Sequence, residues 1–375
     1  MIRSYYYFLS ILLLCSSISI SRAGDTSENQ DLNNLQFLGA PYVFANTDLG
    51  IVYGVGGGIS RSPNLYLLFF LNFSTNSLIE GGVLQGEYTY LNWNFSEVSW
   101  ISKAPQYIYT IQNNDPQVIA KALMVRYELQ LSALRKVGSW EIGPSMIVRK
   151  SSARDQKDKD DNPILEDSYE RFGEGNVQLL GVRAKYETAS SLRPIAGILI
   201  DGSLRFGRTN GDVYQLPRFD VDAEIKIGWA IPITSKTRIY ARIWSIFQLE
   251  APPPAQQHLG WERNHRGQPY MREWGRRMLS GRLQFHFTTV KRSPFPLVYM
   301  HEWIKIIKPA RVDYEIVPFY DVGEIGDPAY GWHKPRHGIG IGLHLVMPPE
   351  LVLRLDFAFA PSGPLRFFIG AGETL

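Results

Sequence analysis

Polar and apolar residues alternate along this chain in segments of about ten, from near residue 35 to the C-terminus. In Asp220–Ile231 one parity reads Val221, Ala223, Ile225, Ile227, Trp229 and Ile231, and the other Asp220, Asp222, Glu224, Lys226 and Gly228. His337–Met347 sets Ile339, Ile341, Leu343 and Leu345 against Gly338, Gly340, Gly342 and His344; Ile119–Leu131 alternates less strictly. A period of two sorts side chains onto opposite faces of a strand. A soluble antiparallel sheet shows the same alternation, so segment length and the chemistry of the polar face have to decide. Soluble strands average about five or six residues, whereas a tilted strand crossing hydrocarbon needs about ten. Charged and glycine-rich polar faces suit a wet lumen. The pattern predicts an all-β fold, a transmembrane antiparallel β-barrel.

Strands are predicted near 35–46, 49–60, 64–75, 80–93, 97–112, 119–133, 138–150, 174–187, 194–207, 215–231, 235–249, 273–288, 311–322, 336–347, 350–360 and 364–374. Their number, sixteen, is even, as in bacterial single-chain barrels. Connections after even strands are mostly short, such as Arg61-Ser-Pro63, Pro232-Ile-Thr234 and Pro348-Pro349. Those after odd strands include the charged Ser151–Gly173 and the proline-rich Ala251–Arg272. Short periplasmic turns and long outer loops follow the barrel rule. The mixed charges of Arg154–Asp161 read as a solvated loop tip rather than a calcium loop. Thr289–Ala310 breaks the alternation, being long on the short-turn side. With Trp303, Ile304, Ile306 and Ile307 among Lys305 and Lys308, it is expected to be an insertion holding a short amphipathic helix at the inner rim.

The N-terminus adds a compartment. Residues 1–23 carry Arg3, an apolar run from Tyr5 to Leu14 and a Ser21-Arg22-Ala23 cleavage site. That is a secretory signal peptide, its apolar run too short to span a membrane. Leu14 before Cys15 argues against a lipoprotein signal. Cleavage after Ala23 removes Cys15, the single cysteine, and with it disulfides and thiol catalysis. Residues 24–34 then form a short polar periplasmic tail and 35–375 the barrel.

Candidate chemistry is sparse. An Arg-Gly in a long loop, Arg266-Gly267, precedes by about fifty residues a strand bearing Phe319-Tyr-Asp321-Val-Gly323. A guanidinium folded into a lumen needs a partner, an inward acid offers a bidentate one, and an aromatic neighbour adds a cation–π contact. The bland alternative makes Arg266 one surface cation among Arg263, Arg272, Arg276 and Arg277. His333 and His337 are separated by Lys334-Pro335-Arg336, a loop and not a helical metal face. His301-Glu302 lacks a zincin's second histidine, and no Gly-x-Ser-x-Gly elbow occurs. Gly54-Val-Gly-Gly-Gly58 lacks the strand-to-helix setting of a phosphate loop. The basic, aromatic Trp261–Arg277 suits a lumen plug better than nucleic acid. No catalytic residue, metal or cofactor is expected.

Sixteen strands, an Arg-Gly loop after the eleventh and Phe-x-Asp-x-Gly on the thirteenth resemble the BamA/TamA-like bacterial surface antigen superfamily. Ala40–Gly50 resembles the barrel start of its shorter members, Leu351–Asp356 the penultimate strand and Arg366–Gly370 the closing one. The resemblance implies a loop lock of Arg266 against Asp321 and Phe319, with Gly267 allowing a tight turn and Gly323 completing the strand motif. The glycines and brevity of the closing segment predict a weak closing seam at Phe367, Phe368, Gly370 and Gly372. The chain departs from the pattern at His265 and Gln268 beside Arg-Gly, and at Gln284 and His286 on strand twelve, where an acid and an arginine are usual. It departs again at Leu375 in place of a terminal aromatic. Gly24–Leu35 leaves no room for a POTRA module, and no lipase domain is present.

The expected function is therefore that of an outer-membrane barrel assisting insertion or transport of proteins or lipids. A passive pore or structural surface antigen with a plugging loop is the alternative, and an outer-membrane enzyme a distant third. The expected partners are outer-membrane lipids and lipopolysaccharide, the barrel assembly machinery for its own insertion, and a separate periplasmic protein, with no nucleic acid.

Overall fold

The computed structural model describes residues 36–46, 50–61, 65–112, 115–158, 162–163, 173–188, 196–212, 216–252, 255–260, 264–268, 273–294, 311–327, 331–347, 351–361 and 365–371. The signal peptide and polar tail, residues 295–310 of the expected Thr289–Ala310 insertion with its rim helix, and Gly372 lie outside them.

Alternation in the sequence becomes one antiparallel meander. Its strands are β1 (Gln36–Asn46), β2 (Gly50–Arg61), β3 (Leu65–Ser74), β4 (Ile79–Tyr90), β5 (Trp93–Gln112), β6 (Asp115–Val137), β7 (Trp140–Asp158), β8 (Glu174–Glu187), β9 (Gly197–Gly211), β10 (Arg218–Pro232) and β11 (Thr237–Gln248). After a long loop follow β14 (Arg277–Pro294), β15 (Arg311–Asp327), β17 (Arg336–Met347), β18 (Leu351–Phe359) and β19 (Arg366–Ala371). The two-residue β16 (Gly331–Trp332) attaches to β15 and completes a seventeen-stranded sheet. Within the loop, β12 (Gln257–Leu259) pairs with β13 (Glu273–Gly275) as a separate ribbon.

The burial pattern is inverted relative to a protein dissolved in water. Leu180, Val182, Ile339 and Ile341 are exposed, as are Phe285, Phe287 and Phe357. Arg205, Asp222, Arg282, Asp321, His344, Arg354 and Asp356 are buried. A continuous apolar exterior around a polar interior fits a hydrocarbon solvent. No described helix is long and apolar enough to cross a membrane, which says nothing about crossing by strands.

The sheet is rolled. Adjacent loop residues touch opposite walls: the Arg126 guanidinium of β6 lies 4.2 Å over the Trp274 ring, while Arg336 Nε of β17 donates to Glu273 Oε1 at 2.7 Å. A flat sheet with about 4.8 Å per ladder step would hold β6 and β17 about 38 Å apart. The end strands β1 and β19 come together, with no paired register between them among the described residues.

Three expectations need correction. Ser151–Gly173 does not begin as a loop, because Ser151–Asp158 continues β7 and pairs with β6 as far as Lys157↔Lys121 and Ala120↔Asp158. This hydrogen-bonded ladder outlasts the apolar stripe that marks a strand in the sequence. Nor is 273–288 one strand: Glu273–Gly275 leaves the wall to pair with the loop, and the wall strand starts at Arg277. Likewise Thr289–Pro294 continues β14.

Antiparallel order puts the far ends of β7 and β14 on opposite sides of the membrane. A tag inserted within 159–172 and one within 295–310 are expected never to react with the same impermeant label on intact cells. Labelling of both would break the strand order.

Candidate functional site in the barrel interior

The loop between β11 and β14 leaves the wall under local control. Asp220 Oδ1 accepts from the amides of Leu249 and Glu250, and Gln248 Oε1 accepts from Gln257 N–H. Arg149 on β7 then donates to Ala255 O at 3.3 Å. Leu259 inserts into an apolar cluster with Ile246, Met278 and Ile325. Asn264 closes the next turn, accepting from Gly260 N–H and donating to His258 O. These anchors deliver Arg266 to the polar faces of β15 and β18.

Arg266 is fully buried, and its donors meet two carboxylates. Its Nε donates to Asp321 Oδ2 and its Nη2 to Oδ1, both at 2.9 Å, while Nη1 donates to Asp356 Oδ2 at 3.0 Å. The Arg266 backbone N–H also reaches Asp321 Oδ2 at 3.0 Å. The guanidinium stands 3.3 Å from the centroid of the Phe319 ring. Burial alone would push this guanidinium toward neutrality, but Asp321 and Asp356 outweigh it and hold its pKa above the usual arginine value. Arg282, the direct register partner of Asp321 on β14, donates to Oδ1 at 3.1 Å. Asp321 therefore accepts bidentately from the loop and again from the wall.

Glycines shape the cradle. A Cβ on Gly323 would collide with Leu259, and one on Gly340 with the Phe319 ring. Gly267 does not serve a left-handed turn; its φ lies outside that region, and a Cβ there would sit 2.9 Å from Gly338 Cα. Gly267 lies in a tight turn closed by Gln268 N–H donating to His265 O at 3.3 Å, and its smallness permits the close backbone approach.

The other expected residues separate into distinct jobs. Phe368 on β19 turns inward and packs with Phe319 and Ala358, which carries the aromatic floor of the lock to the closing strand. Phe367 packs against Phe357 at 5.0 Å between centroids, and Gly370 faces Arg354 across the ladder. Arg276 pairs with Asp327, and Arg277 lies over Phe247 at 5.5 Å; Arg263 and Arg272 lie outside the described residues. His265 reaches Arg336 O at 3.0 Å. His333 stands 3.9 Å from Glu273 while His337 bonds Tyr320, so these two histidines do not converge. Asp356 and Arg282 were not among the expected lock residues. Both sit at polar positions of alternating strands, a signal that gives the face but not the partner.

No protein-family model matches the chain, and neither does any curated protein. Among solved structures, it is similar to BamA from Haemophilus ducreyi lacking POTRA domains 1-3, at 13% identity over 90% of this chain and 70% of that one, with a TM-score of 0.53. CdiB from Escherichia coli gives 10% identity, 90% and 62% coverage and a TM-score of 0.55. CdiB from Acinetobacter baumannii gives 13%, 90% and 59%, and 0.51. The chain thus spans about three-fifths of the CdiB chains. At these identities the likeness is one of fold: this chain has the all-β barrel architecture of BamA and CdiB.

Asp321→Ala should leave Arg266 and Arg282 facing each other, at a cost of about 3–5 kcal/mol, the range for breaking a buried pair. Limited proteolysis within 251–272 should accelerate, and the effect with Arg266→Ala should be less than additive. Strictly additive losses in chemical unfolding would mean that the two side chains do not act as a pair. Gly340→Val should displace the Phe319 ring and loosen the same loop; unchanged proteolysis would remove the ring from the lock.

Proposed function

We propose that this protein is an outer-membrane barrel that assists insertion or transport of proteins or lipids, and that the seam between β1 and β19 is the part that yields. The observation that carries this reading is that β1 and β19 come together with no paired register between them among the described residues, whereas every other neighbouring pair of wall strands is laddered. A seam without a ladder has few hydrogen bonds to break, and lipids beside it can thin or tilt against the wall. The lock confines that weakness, because Arg266 ties β15 to β18 through Asp321 and Asp356.

The shared architecture with BamA and CdiB supports the same reading. In it, the chain reaches the outer membrane after cleavage at Ala23, with insertion by the barrel assembly machinery. Lipid tails and lipopolysaccharide meet the exposed isoleucines and phenylalanines, and a separate periplasmic protein delivers the cargo. A second reading, a passive pore, draws on the loop buried across the lumen, where it serves as a plug.

Cysteines introduced into β1 and β19 and joined by oxidation separate the two. Locking the seam should suppress substrate assembly or lipid exchange in reconstituted vesicles, and reduction should restore it. Undiminished activity with the seam closed would support the pore.

A further inference from the structure

Beyond the lock, three polar-face side chains on neighbouring strands converge: His286 on β14, Glu315 on β15 and His344 on β17. All are buried, and one potential ligand atom from each lies within 4.8 Å of the other two. Glu315 and His344 are direct register partners, so the wall itself fixes their closeness. We propose that this triad is a zinc site, with His286 and His344 as nitrogen ligands and Glu315 as the carboxylate ligand. Two imidazoles and one carboxylate form a donor set suited to zinc, whereas calcium and magnesium favour oxygen alone.

The outer contacts fit that role. His344 Nε2 lies 3.0 Å from Asp356 Oδ1, and His286 Nε2 lies 3.3 Å from Gln284 Oε1. With Nε2–H donated to Gln284, the His286 ring turns its Nδ1 toward Glu315, and backing of this kind is usual for metal-bound imidazoles. In that tautomer His286 Nδ1 sets its lone pair against Glu315 Oε2, 3.0 Å away. The other neutral tautomer instead sets an Nδ1–H against Arg238 Nη2, also at 3.0 Å. Neither neutral form satisfies both neighbours, whereas a bound cation between the imidazole and the carboxylate would be met by both.

Arg238 now supplies that positive charge, donating from Nη1 and Nη2 to Glu315 at 2.8 and 2.7 Å. Zinc must therefore displace it. Arg238 also lines a rim cavity of about 180 Å³ with Thr234, Lys236, Lys291 and Asp313. The cavity offers a route for the ion and space for the displaced guanidinium.

The test is a zinc titration of the full chain in detergent after chelator treatment, read by calorimetry and by metal content. One zinc per chain is expected, and zinc should raise the unfolding temperature. His286→Ala and His344→Ala should each abolish both effects. Arg238→Gln should tighten binding at least tenfold, because no guanidinium then has to leave Glu315. No binding by the parent chain, or binding retained in the double histidine variant, would overturn the site. Should the histidine variants fail to fold, Arg238→Gln decides: unchanged or weaker affinity contradicts displacement by zinc.

Discussion

One buried guanidinium organises the interior. Arg266 is closed off from bulk solvent, and an isolated charge in that position would be expensive. It is tolerable because Asp321 and Asp356 complete its hydrogen bonds and the Phe319 ring faces its plane. Those partners come from β15 and β18, the two strands that flank β17 in the wall. Gly338, Gly340 and Gly342 on β17 leave the space between β15 and β18 open enough for the loop tip, the ring and the Asp356 carboxylate. Larger residues at these positions would push the arginine away from its acids.

The same contacts run toward the seam. Phe319 lies between Arg266 and the cluster it shares with Ala358 and Phe368. A change in loop position would thus be felt at β19, the strand that meets β1. This gives a physical route by which a lumen plug and a weak edge could be linked, with one aromatic ring as the intermediary. His344 adds a second link, because it bonds the same Asp356 that Arg266 uses. The metal proposed beside it would act on the lock through that carboxylate.

Period-two alternation made most of the wall legible. It placed β8 and β17 to the residue and most other wall strands within a few residues, because lipid demands an apolar outer face along every crossing. Beyond the bilayer that demand ends. The outer part of β7, with Arg154, Asp155 and Lys157, therefore looked like a loop although it remains laddered to β6. The lock residues Arg266, Phe319 and Asp321 were readable from motif order. Asp356 and Arg282 were not, since which polar residues meet depends on register and on the path of the loop. Gln284 and His286 looked like departures at the expected positions. In the structure Arg282, two residues earlier on the same face, pairs with the aspartate, and His286 joins Glu315 instead.

Hydrogen exchange at the Arg266 backbone amide tests the central claim most directly, since that N–H is bonded to Asp321 Oδ2 inside the barrel. In the intact protein this amide should be strongly protected, and Asp321→Asn should release it while the β15 amides stay protected. Exchange at the rate of a solvated loop in the unaltered protein would contradict an arginine locked into the barrel interior.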